Sequence, residues 1–157
     1  MEPLEPPALH QAQAAYGWLE LGNVEEAFAE LERLPEELQS LPAVQAVRLD
    51  CLMAAKDWNA AVKLAQVLCG QWAEEPGLWL HHAYAARRCA AGSIEAAYEL
   101  LAPCVERFPE EWLIPYNVAC YLCQMERLDE ARAMLEMARA KGGERVDAMA
   151  KDDKDLA

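Results

Sequence analysis

Residues 115–140 read PYNVACYLCQMERLDEARAMLEMARA, and this stretch decides what kind of chain this is. A CxxC pair at Cys120 and Cys123 could mark a redox or metal site, while the Ala- and Leu-rich run after Glu126 could be half of a helical hairpin. The two readings separate on context. A redox CxxC of the thioredoxin kind needs a strand, a turn and a helix around it. Ala, Leu and Glu are abundant in this chain and β-branched residues are sparse. That balance favours an all-α fold. The stretch is then a helix, a turn and a helix, and its cysteines lie at i and i+3 on one helix face.

The 157 residues, 54% of them hydrophobic, can bury one sizeable core, and a single domain over 1–157 is the simplest organisation. The formal net charge of -13 disfavours nucleic acid, whose phosphates repel such a surface, and disfavours an anionic membrane for the same reason. No apolar run approaches the length of a membrane span and MEPLEPPALHQ lacks the basic and apolar regions of a signal peptide, so a cytoplasmic location is expected. In that setting six cysteines read as small thiols rather than as a disulfide framework.

The hairpin in the opening stretch has copies. With turns at Gly22, Lys56, Gly92 and Glu126 the intervals are 34, 36 and 34 residues. Two residues beyond each turn stand Val24, Trp58, Ile94 and Leu128; five beyond stand Ala27, Ala61, Ala97 and Ala131. Nine beyond stand Leu31, Ala65, Leu101 and Leu135, and seven before stand Ala15, Leu49, Ala85 and Ala119. A small residue at a fixed offset lets two helices approach closely, and apolar residues around it interlock with the partner helix. The expected first helices cover 8–21, 42–55, 77–91 and 112–125, and the second helices 24–34, 58–72, 94–107 and 128–140. Pro35, Pro42, Pro76 and Pro109 fall between hairpins, where a helix has to stop.

The near-34 period, Gly22 and Gly92, the recurring alanines, and Pro109 closing the third unit together resemble the tetratricopeptide repeat family. YNVACYLCQMERLDEARAMLEMA is the best-matching unit, and the similarity extends over about residues 8–141. Lys56 and Glu126 depart from it by replacing the usual glycine. The resemblance implies a right-handed superhelical solenoid of about four hairpins, with units near 8–41, 42–76, 77–111 and 112–141. Val146, Met149 and Ala150 lie at i, i+3 and i+4, so a capping helix is expected within 143–152, followed by a polar, frayed tail at 153–157.

The same resemblance implies a non-enzymatic interaction module whose first helices line a concave groove. Carried onto this sequence, the groove positions are Leu9, Ala12, Tyr16 and Leu19, then Ala43, Ala46, Asp50 and Met53. The later units add Trp79, His82, Ala86 and Cys89, then Leu113, Tyr116, Cys120 and Cys123, with Asn117 beside them. Asp50 is the one acidic or basic residue among these, His82 being counted neutral. An apolar groove of this kind suits an apolar peptide or an amphipathic helix. Trp79 and Tyr116 are its candidate anchors, or else pack under a cap or a neighbouring loop. Asn117 bonds either a ligand backbone or its own helix. Co-chaperones of the family hold acidic peptide ends with a clamp of Lys, Asn and Arg. Here Asn117 and Gln13 stand at clamp-like positions without a cation beside them, so a clamp is not expected.

Cys89, Cys120 and Cys123 face one groove and could in principle hold a soft metal. His82 lies seven residues from Cys89, about 10 Å along a helix, too far to complete the ligand set easily. Small groove-lining residues are the preferred reading, with no metal and no cofactor. No nucleophile, base and acid arrangement and no glycine-rich phosphate loop stands out, so no enzymatic activity is expected. The alternatives are a self-associating structural protein, which would make a homo-oligomer, or a small chaperone of the secretion-system type; metal or thiol sensing ranks below both. The groove itself is either open or filled by the chain's own ends.

Overall fold

The computed structural model describes residues 4–156, and residues 1–3 and 157, which include the last residue of the expected tail, lie outside it. Among the described residues the chain is all-α, without a strand. It divides into two compact units, the first ending at Glu74 and the second beginning at Glu75.

In the first unit α1 (Ala8–Glu20) pairs with α2 (Val24–Glu32), a short α3 (Glu36–Gln39) follows, and α4 (Pro42–Ala54) pairs with α5 (Trp58–Gln71). In the second, α6 (Pro76–Arg88) pairs with α7 (Ile94–Leu101) and a short α8 (Cys104–Arg107) follows. Next α9 (Leu113–Gln124) pairs with α10 (Leu128–Gly142), and α11 (Glu144–Ala150) leads to a 3₁₀ turn at Lys154–Leu156.

Three of the four hairpins share one turn. Gly22, Lys56 and Glu126 all adopt left-handed backbone, with φ of 74°, 58° and 60°. Each turn is closed by the same bond from the residue after it, Asn23 N–H to Trp18 O, Asp57 N–H to Leu52 O and Arg127 N–H to Leu122 O, at 2.8, 3.0 and 2.9 Å. This is how a helix satisfies its last carbonyls before reversing. The side chains of Asn23, Asp57 and Ser93 then cap the next helix by accepting from the N–H three residues on, at 3.3, 3.1 and 3.1 Å. The offsets inferred from sequence meet here: Ala27, Ala61 and Ala97 are fully buried, as are Ala15, Leu49, Ala85 and Ala119.

Lys56 carries a Cβ through a conformation that costs an L-residue about 1–2 kcal/mol relative to glycine. Part of that is offset because glycine orders more backbone freedom on folding. Lys56→Gly is therefore expected to stabilise the first unit by about 0.5–1 kcal/mol, read as a higher denaturation midpoint at unchanged m. A fall in the midpoint would mean that the turn is not left-handed.

The third hairpin departs from the pattern. Its helix 94–107 is interrupted: α7 stops at Leu101 and α8 restarts at Cys104, because Pro103 lacks an N–H and its ring collides with the carbonyl of the preceding turn. Its turn also differs, since α6 ends in extended backbone at Cys89 and Gly92 bonds back to the Cys89 carbonyl at 2.9 Å. The two extra residues of the 36-residue interval are accommodated there.

The first unit's core gathers the alanines of α1 around Leu31, Leu34, Val44 and Val47. Trp18 packs against it and its indole N–H donates to Glu30 Oε1 at 3.2 Å. The second unit has one cluster around Leu101, Ile114, Val118 and Tyr121 and another where Val146 of α11 meets Tyr116, Cys120 and Ala138. A short helix, Glu144–Ala150, falls within the 143–152 stretch where a cap was expected and buries Val146.

Candidate functional site

Each unit places its candidate residues on its own first helices. In the first unit, Leu9, Ala12, Tyr16 and Leu19 lie on α1 and Ala43, Ala46, Asp50 and Met53 on α4. Ala12 is spent in the core, Tyr16 is exposed, and the others are half-buried. Tyr16 and Asp50, equivalent positions in successive hairpins, join directly: the phenol donates to Asp50 Oδ2 at 2.8 Å. Burial and then the Asp50 carboxylate push the Tyr16 hydroxyl far above its ordinary range. The neighbouring Cys51 thiol is pushed up to about 11, again by burial and Asp50, so it is an inert core thiol.

In the second unit, Trp79, His82, Ala86 and Cys89 come from α6 or its end, and Leu113, Tyr116, Asn117, Cys120 and Cys123 from α9. These positions do not form one open apolar strip. Trp79 and Cys123 pack against the main cluster, and the Arg107 guanidinium lies 5.5 Å from the centroid of the Trp79 ring. Ala86 is buried, and Leu113 is half-buried. Asn117 donates to the Leu113 carbonyl of its own helix at 2.8 Å. His82 is 7% exposed, its Nδ1 has no hydrogen-bond partner, and burial holds its pKa below the ordinary value.

Tyr116 and Cys120 are buried because the chain's own residues cover them. The Tyr116 hydroxyl donates to Asp153 Oδ2 at 2.7 Å, and Cys120 Sγ lies 3.6 Å from the same oxygen. Two residues on, both Asp155 oxygens are held by the Arg87 guanidinium, Nη2 to Oδ1 at 2.9 Å. Gln124 Nε2 donates to the Asp155 carbonyl at 3.0 Å, and Leu156 packs against the cluster around Val146. Arg87 holds the Asp155 carboxyl below the usual carboxylate range. Burial, then Asp153, drives the Cys120 thiol well above its ordinary range.

Two expectations are corrected here. Residues 153–156 are not a frayed tail: their carboxylates meet a guanidinium, a phenol and a thiol, the Asp155 carbonyl meets an amide, and polar residues dock when such donors lie opposite them. Nor is this face free of cations, since Arg87 bears on it from an offset outside the expected groove set. The consecutive arginines ending α6 and the spaced aspartates of KDDKDLA were the available signals, but nothing in a sequence says which cation meets which acid.

The cysteines do not converge. Cys89 Sγ is 3.7 Å from the Ala86 carbonyl of its own helix, and all six thiols are free. Among the described residues no group of three or more His, Cys, Asp or Glu is placed to hold a metal ion.

A cleft of about 530 Å³, outside the expected groove positions, lies on the second unit. The break at Pro103 forms one wall, with Ala102 and Val105; Tyr98, Val118 and Leu122 form its floor, and Met134 and Met137 of α10 its other wall. At the rim Arg127 is paired with Glu130 at 2.6 Å. Met137 is exposed although the cleft is predominantly apolar.

What fold and site define is an all-α protein of repeated helical hairpins, in which no described helix is long and apolar enough to cross a membrane. Neither a protein-family model nor a curated protein matches the chain.

Proposed function

We propose that this protein is a non-enzymatic interaction module of the tetratricopeptide type, binding an apolar peptide or amphipathic helix of a partner protein. The recurrence of one turn geometry at Gly22, Lys56 and Glu126 supports the repeat reading. On that reading the four hairpins form a right-handed superhelical solenoid. A radius of gyration near the roughly 15 Å of a compact globule of this length would count against it.

The observation that carries the binding reading is the apolar cleft of the second unit. Flexible, polarizable methionines suit a surface that takes apolar side chains. Tyr98 adds a rigid anchor with a polar tip. Helices enter such grooves by apolar residues at i, i+3, i+4 and i+7. On this reading the apolar site is the cleft beside Pro103 rather than the face lined by Tyr116 and Cys120, which the chain itself covers.

Met137→Glu puts a charge into the cleft without touching a buried core position. Affinity capture from the source cells is expected to recover a partner with the wild-type protein and to lose it, with at least about tenfold weaker binding, with the folded variant. Capture of the same proteins by both would overturn the cleft as the binding site. Recovery of the chain alone, with mass rising with concentration in light scattering, would replace it by self-association.

A further inference from the structure

The face of α6 and α9 covered by residues 153–156 has an unusual inventory: each polar side chain that meets the segment is a donor. Arg87 gives a two-pronged guanidinium, Tyr116 a hydroxyl, Cys120 a thiol and Gln124 an amide N–H. Arg88 adds a second positive charge that bears on Asp155. A guanidinium fork matches a carboxylate in geometry as well as charge. The segment answers with two carboxylates two residues apart, an intervening turn in which Asp155 N–H donates to Asp153 Oδ1 at 3.0 Å, and an apolar residue, Leu156.

We propose that this face is an acceptor site for an acidic peptide of the pattern Asp-x-Asp-apolar, and that residues 153–156 occupy it in cis as a built-in competitor. The site is made of residues other than those of the apolar cleft, so it adds a second port for a partner of different chemistry. Because the remainder of the chain is acidic, the local pair Arg87 and Arg88 selects which acidic segment is held. A segment that merely drifts near the surface meets repulsion, whereas one with correctly spaced carboxylates meets the fork and the phenol together. A partner's segment must displace the chain's own, which makes the port conditional on the partner's concentration.

The test uses the amidated, N-acetylated peptide KDDKDLA carrying a fluorophore, titrated into the chain stopped after Lys151. Saturable binding is expected, about tenfold weaker binding to the full chain, and loss of binding when Arg87→Ala is added to the stopped chain. A second peptide with asparagine in place of Asp153 and Asp155 is expected not to bind, and Met137→Glu to leave binding unchanged. A folded stopped chain that does not bind, or equal affinity for stopped and full chains, overturns the proposal.

Should the stopped chain not fold, the full chain carrying Asp153→Asn and Asp155→Asn is alkylated with iodoacetamide and mapped by mass spectrometry. Cys120 is expected to react at least about tenfold faster than in the wild type, and to be protected again by added KDDKDLA peptide. An unchanged rate, or no protection, overturns the proposal equally.

Discussion

Gly92→Ala is expected to destabilise the second unit by about 3 kcal/mol, at the upper end of what overpacking costs. A Cβ on Gly92 would lie 2.2 Å from the Ala86 carbonyl oxygen and 2.9 Å from that of Cys89. Both are backbone atoms, so no side chain can swing away and the turn itself must open. For a unit of this size that is a fall in melting temperature of roughly 15 °C. Two other glycines separate this cause from a general effect of methylation. At Gly22 a Cβ meets nothing, but φ is 74°, so Gly22→Ala is expected to cost only about 1 kcal/mol. Gly17, inside α1, has open space and helical backbone, and Gly17→Ala is expected to stabilise by about 0.5–1 kcal/mol. Melting curves of the three variants should rank in that order. A Gly92→Ala protein that melts with the wild type would show that the third turn does not make this close approach.

The ranking also shows what a sequence can and cannot convey. The period announced glycine at 22 and 92 as equivalent, yet Gly22 is needed for its torsion and Gly92 for the space beside two carbonyls. Lys56 and Glu126 look like departures, but they hold the same left-handed turn as Gly22. Helix boundaries were legible because the repeat offsets and the prolines agree; the caps at Asn23, Asp57 and Ser93, which start three of the second helices, are what the structure adds. A single helix over 94–107 was expected straight across Pro103, whose break lines the cleft that the groove offsets did not contain. The site fared worse because groove offsets assume that whatever points inward stays open. Tyr116 and Cys120 do point to one face, but Asp153 reaches them from more than thirty residues away. Long-range pairing of that kind depends on where α11 turns the chain, which no local pattern encodes.

Ending the chain at Gly143 is expected to cost the second unit about 3 kcal/mol. The deletion removes Val146, 1% exposed, from a cluster it forms with Tyr116, Cys120 and Ala138, and takes Leu156 from its edge. Burying an aliphatic side chain of this size contributes about 1.5–3 kcal/mol, and the order no longer imposed on the deleted residues offsets part of the combined loss. Gly142 shows how tightly α11 sits: a Cβ there would come within 2.6 Å of Val146 and 2.9 Å of Trp112. A drop in melting temperature of roughly 15 °C is expected, and an unchanged one would remove the cap from the fold. Stopping after Lys151 instead keeps Val146 and deletes only the docked segment. Its ion pair is partly exposed and so adds little net stability, and about 1–1.5 kcal/mol is the expected loss. That difference between cap and segment matters for function. A cap worth about 3 kcal/mol stays in place, whereas a segment held by about 1.4 kcal/mol leaves its site open in roughly one molecule in ten. An incoming acidic peptide then sees a Kd raised only about tenfold over that of the empty face. The same chain end can therefore close the core permanently with α11 and gate the arginine site reversibly with Asp153 and Asp155.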